Sequence, residues 1–154
     1  MAELKPILLV EDNPKDLELT LEAFEEAQLA NDIVVARDGA EALAYLMPEG
    51  GESPTDFKRP AVIILDIKLP KIDGIEVLRR IKSNDATRQI PVVMLTSSKE
   101  EEDLVRSYHL GVNAFVVKPV GFRDFFDAIH GLGSFWAILN EPPPGSHRRG
   151  GSKA

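Results

Sequence analysis

Five short apolar runs punctuate the chain, and four of them stop abruptly at chemically distinctive residues. Ile7, Leu8, Leu9 and Val10 end at Glu11 and Asp12; Ala61 to Leu65 end at Asp66; Ile90 to Leu95 end at Thr96, Ser97 and Ser98; Ala114 to Val117 end at Lys118 and Pro119. The fifth run is Ile33 to Ala36. Runs apolar on both faces predict strands in a parallel sheet covered by helices on each side.

Between the runs the apolar period lengthens from two to that of a helix. Asn13 and Pro14 open the first helix, which buries Leu17, Leu21 and Phe24 while Glu18, Glu22, Glu25 and Glu26 face water. Asp38 and Gly39 start a second, through Ala42, Leu43 and Leu46. Residues 48–54, rich in Pro and Gly, read as a loop. A turn from Ile67 to Gly74 precedes a helix carrying Val77, Leu78 and Ile81, and Glu100 to Asp103 occupy the first turn of the next, where acids favour the helix dipole. The last helix is expected from about residue 122 to about residue 139, kinked at Gly131 or Gly133, with Phe122, Phe126, Ile129 and Leu132 facing the sheet. Beyond Glu141 a proline run and a Gly/Ser/Arg tail read as disordered.

Five strand-and-helix alternations predict an α/β fold, a doubly wound five-stranded parallel sheet in the flavodoxin-like order 2-1-3-4-5, within one domain over residues 1–140 followed by a tail over residues 141–154. The 154 residues suffice for one core. Cysteine is absent, which excludes disulfides and thiolate metal sites. The net charge of −7 speaks against nucleic acid as a partner, and no apolar run approaches membrane-spanning length, so a cytoplasmic protein is expected. His109, His130 and His147 lack metal-ligand spacing and read as surface residues.

The predicted order sets strands one and three side by side, so Glu11, Asp12 and Asp66 converge at the switch point. Three carboxylates in one crevice call for a hard cation, and Mg²⁺, which accepts few carboxylates and keeps room for a phosphate oxygen, fits better than Ca²⁺. Thr96 adds a hydroxyl and Lys118 a fixed positive charge, together a cradle for a dianion. With neither cysteine nor a Ser-His pair, the available nucleophile is Asp66 itself. Taken singly, Thr96 or Ser98 reads as a helix cap, and Asp73 before Gly74 reads as one too.

These motifs resemble the response-regulator receiver domains of two-component signalling over residues 7 to about 139: Leu9-Val10-Glu11-Asp12, Leu65-Asp66 with Leu69-Pro70 and Asp73-Gly74, the run from Pro91 to Thr96, and Val117-Lys118-Pro119. The resemblance implies that Asp66 accepts a phosphoryl group from a histidine kinase. It implies that Asp12 ligates Mg²⁺ directly, Glu11 mainly through water, and Lys68 through its backbone carbonyl. Thr96 and Lys118 would bind the phosphoryl oxygens, Lys118-Pro119 would be cis, and Phe115 would turn inward as Thr96 moves. Lys68 stands where many members carry Asn, and with Ser98 it would border the path of the attacking water.

The loop before the third strand and the Ser134-Phe135-Trp136 ending resemble a narrower group, the stand-alone receivers paired with bacterial phytochrome kinases. That resemblance implies a homodimer through the last helix and strand. Half of the ten aromatic residues fall between Phe122 and Trp136, and Phe122, Phe125, Phe135 and Trp136 are the candidate interface. Two other readings stay open: a Mg²⁺-dependent phosphatase with an aspartyl nucleophile, which would need an Asp where Lys68 stands, and an adaptor that works without phosphorylation.

Overall fold

The computed structural model describes residues 5–47 and 59–131. Strands and helices alternate as β1 (Ile7–Val10), α1 (Pro14–Glu26), β2 (Ile33–Ala36), α2 (Gly39–Leu46), β3 (Val62–Asp66), α3 (Gly74–Ser83), β4 (Val92–Thr96), α4 (Lys99–Ser107), β5 (Ala114–Val117) and α5 (Phe122–His130). The sheet is parallel throughout in the order β2-β1-β3-β4-β5, the expected topology.

Alternation along each strand divides the core into two layers. Leu8, Val10, Ile63, Leu65, Val92 and Met94 point to the side of α2 and α3, and pack with Ala42, Leu46, Leu78 and Ile81. Ile7, Leu9, Val62, Ile64, Val93 and Leu95 point to the side of α1 and α5, and pack with Leu17, Phe24, Phe125 and Ile129. The central strands β1, β3 and β4 are buried along their whole length because both faces are covered.

Short polar side chains start four of the helices. Asn13 accepts from Asp16 N at 3.0 Å, Asp38 from Glu41 N at 2.7 Å, Asp73 from Glu76 N at 3.0 Å and Ser98 from Glu101 N at 3.2 Å. Asp73 and Ser98 are thus helix caps, each satisfying an amide that the first turn leaves free. Gly74 has a further constraint: a Cβ there would overlap the backbone oxygen of Asp66 and lie 2.7 Å from Ile67 Cα. The start of α3 therefore abuts the end of β3, and Gly74 N donates to Ile67 O at 2.9 Å.

The expected inward stripe of α5 needs correction. Phe125 is 1% exposed and its ring centroid lies 4.4 Å from that of Phe24 on α1, while Phe122 and Phe126 are half-buried, their ring centroids 5.7 Å apart and the rings tilted by 40°. Phe125 thus belongs to the core and not to a surface available to a second copy. The helix is apolar on more than one side, so spacing left its rotation undetermined, and the contact with Phe24 selects the 125/129 phase. The continuation of this helix to residue 139, Leu132, Phe135 and Trp136, His147, the loop at 48–54 and the tail at 141–154 lie outside the described residues.

Candidate functional site

Register brings the chemically distinctive strand ends to one edge. Val10 pairs with Leu65, so Glu11 and Asp66 follow one step on; Asp66 pairs with Leu95 and Thr96 with Val117, so Thr96 and Lys118 come next along the same edge. Carboxylate oxygens of Glu11, Asp12 and Asp66 lie within 4.8 Å of one another. Glu11 and Asp66 are buried, whereas Asp12 is exposed at the mouth.

Lys118 reaches into this group from β5. Its Nζ donates to Asp66 Oδ2 at 3.0 Å and to Asp16 Oδ2 at 2.9 Å, and lies 3.6 Å from Glu11 Oε1. Burial pulls its proton affinity down, but the hydrogen bonds to Asp16 and Asp66 and the negative charges of Asp66 and Glu11 outweigh it and hold the ammonium above the ordinary lysine range. It is a fixed cation at neutral pH. Asp66 Oδ1 accepts from the backbone N–H of Lys68 at 3.2 Å, which aims the carboxylate outward across the crevice.

One lysine does not neutralise the acids. Burial first, and then the adjoining Asp66 carboxyl, push Glu11 from 4.5 up to about 8. Its Oε2 accepts from Asn13 N at 3.2 Å, but its buried Oε1 has no hydrogen-bond donor. A buried acid with a raised pKa and an unsatisfied oxygen, beside two further carboxylates, is a donor set of hard oxygens matched to a small divalent cation. Glu11, Asp12 and Asp66 are the groups that the fold brings together to hold one. Thr96 Oγ1 is likewise buried without a hydrogen-bond partner. It is a donor facing no acceptor of the protein.

Two acids near the site escaped the sequence reading. Asp16 looks like an ordinary first-turn acid of α1, and nothing in its place along the chain marks it as sharing the crevice. Glu101 looks like one of four consecutive acids on α4, yet it alone accepts from Ser97 N and pairs with Lys68. Phe115 on β5 is half-buried against the α3 side of the core, with the Arg106 guanidinium 4.5 Å from its ring centroid.

An open parallel α/β sheet whose switch point holds three acids, a bonded lysine and an unpaired hydroxyl defines a domain built to receive a cation and a phosphate-like dianion. The chain belongs to the response regulator receiver domain family, whose model matches residues 7–130, and hence to two-component signalling. It is 41% identical over 132 residues to response regulator Rcp1 of Synechocystis sp., covering 86% of this chain and 88% of that protein. The solved bacteriophytochrome response regulator AtBRR is 66% identical with a TM-score of 0.82, over 91% of this chain and 100% of that one. The phosphorylated cyanobacterial phytochrome response regulator RcpA is 42% identical with a TM-score of 0.69, over 87% and 94%. Rcp1 is also known in a Mn²⁺-bound form, which matches at 40% identity and a TM-score of 0.68 over 90% of this chain and 99% of that one. No helix among the described residues is long and apolar enough to cross a membrane.

Proposed function

We propose that this chain is a cytoplasmic response regulator whose Asp66 accepts a phosphoryl group from a sensor histidine kinase, a bacterial phytochrome in particular. The observation that carries the reading is the Lys118 ammonium 3.0 Å from Asp66 Oδ2, in a crevice where the oxygens of Glu11, Asp12 and Asp66 lie within 4.8 Å. An Asp66 oxygen attacks phosphorus; the new P–O bond forms as the P–N bond of the donor phosphohistidine breaks, and the imidazole nitrogen keeps the electron pair. Lys118 remains protonated and binds the oxygens of the transferred group. The free Thr96 hydroxyl donates to one of them, and the movement that this requires is passed to Phe115 as the bistable element. Mg²⁺, held by Glu11, Asp12, Asp66 and the Lys68 carbonyl, supplies the positive charge that offsets both the carboxylates and the phosphoryl oxygens.

The chain acts only on its own Asp66. Lys68, the second residue after it, pairs with Glu101 and stands where an aspartyl-nucleophile phosphatase would need a carboxyl group, which speaks against a phosphatase. The kinship with AtBRR and RcpA supports the phytochrome pairing. Output passes through protein contact, as a homodimer formed by the α5 side with Phe122, Phe135 and Trp136; sedimentation should show the parent as a dimer and Trp136→Ala shifted toward monomer.

Intact mass after incubation with acetyl phosphate and Mg²⁺ tests the central claim. One phosphoryl group should appear on the parent, and none on Asp66→Asn or in the presence of a chelator. Equal labelling of the parent and Asp66→Asn would remove Asp66 from the role.

A further inference from the structure

One carboxylate on α4 ties together the two loops that flank Asp66. Glu101 Oε2 lies 3.1 Å from Lys68 Nζ, and Glu101 Oε1 accepts from the backbone N–H of Ser97 at 2.7 Å. Lys68 is the second residue after Asp66, and Ser97 directly follows Thr96. The Glu101 amide is itself held by the Ser98 cap, so the carboxylate projects from a fixed first turn. Its side chain is 14% exposed, whereas that of Lys68 is 76% exposed. Asp12, Lys68 and Glu101 line one cleft of about 510 Å³ that opens beside the crevice.

Neither the cap nor the core requires the Lys68 contact. Ser98 already caps α4, and an ion pair with a solvent-exposed lysine stabilises a fold little. Its placement matters more than its strength. With Mg²⁺ bound, a dianionic phosphodonor approaching Asp66 meets Glu11, Asp12, Asp16 and Asp66 against the cation and Lys118. A second ammonium at the mouth would attract it, but one paired with Glu101 carries little net charge toward the donor.

We propose that Glu101 is a positioning residue: it holds the Lys68 ammonium as a neutralised pair at the mouth of the crevice and thereby sets the affinity of the site for dianionic phosphodonors. The inference rests on the reading of Asp66 as phosphoacceptor. Released from Glu101, Lys68 swings on its flexible four-carbon stem toward the incoming phosphate. Asp66, Lys118 and Thr96 are untouched, so the effect falls on donor binding and not on the maximal rate.

Phosphorylation rates of the full chain against acetyl phosphate concentration, with Mg²⁺ saturating, decide the matter for the parent, Glu101→Gln, Lys68→Met and the double variant. Glu101→Gln should lower KM about two- to fivefold at low salt, with the maximal rate unchanged and the effect fading as salt rises. In the Lys68→Met background the same change should do nothing. Glu102→Gln, whose carboxylate pairs instead with Lys99 and Arg106, controls for loss of a negative charge on α4 and should leave KM as in the parent. An unchanged KM in Glu101→Gln would overturn the inference, as would an equal drop with Lys68 absent, which would mark a general charge effect. No phosphorylation of the parent at any donor concentration would overturn the phosphoacceptor reading, and the inference with it.

Discussion

Without a cation, the buried Glu11 should make the protein lose stability as the solution is made more alkaline. In the folded state its carboxyl is pushed from 4.5 up to about 8 by burial and by Asp66 beside it. In the unfolded chain it titrates near the ordinary value. Below the unfolded pKa both states hold the proton and the group's full contribution is present; between the two values only the folded state holds it, and stability falls as the pH rises through the folded pKa. Linkage over the interval from roughly pH 5 to pH 8 gives a loss on the order of 3 kcal/mol. Asp38, Glu76 and Glu102, whose folded pKa values are lowered by their partners, act in the opposite sense and at lower pH, so they do not mask the effect. Urea unfolding in a chelator across this range should show the fall in the parent and a nearly flat profile in Glu11→Gln, a neutral side chain of the same shape. Saturating Mg²⁺ should restore the parent at the alkaline end, because a ligand bound only by the folded state stabilises it by mass action. Parallel profiles for parent and variant in the chelator would refute the argument.

Phe125→Ala should cost about 3–5 kcal/mol in chemical denaturation, since its ring is fully buried against Phe24; a loss under about 1 kcal/mol would return Phe125 to the surface face expected from spacing. Thr96→Val, which removes a buried hydroxyl without a partner, should be neutral or stabilising by up to about 1–3 kcal/mol in the unphosphorylated protein. The same variant should still be labelled at Asp66 but lose the phosphorylation-dependent change in the environment of Phe115, read by NMR. A marked destabilisation would mean that Thr96 Oγ1 has a partner.

Lys118 and Asp66 are 52 residues apart and Lys118 and Asp16 are 102 apart, and only the first pair could be joined by reading along the chain. Asp66 and Lys118 could be paired because both end apolar runs, and a parallel sheet must deliver such ends to one edge. Asp16 could not, because its helix position has no such marker, and only the packing of α1 against α5, which itself lies on β5, turns its carboxylate onto the lysine. Glu101 was hidden for a similar reason: on a helix with four successive acids, which one faces the neighbouring loop depends on helix rotation.

Continuous apolar runs, caps and alternating periods determined by themselves the number of strands and helices, their order and the edge that carries the acids, because these follow from local periodicity and the burial of both sheet faces. Tertiary structure alone decided the rotation of α5 that buries Phe125, the addition of Asp16 to the group formed by Lys118, Asp66 and Glu11, and the proton held by Glu11. Each of these depends on which side chains meet across elements and on how much water that meeting removes, and neither quantity has a signature along a single stretch of chain.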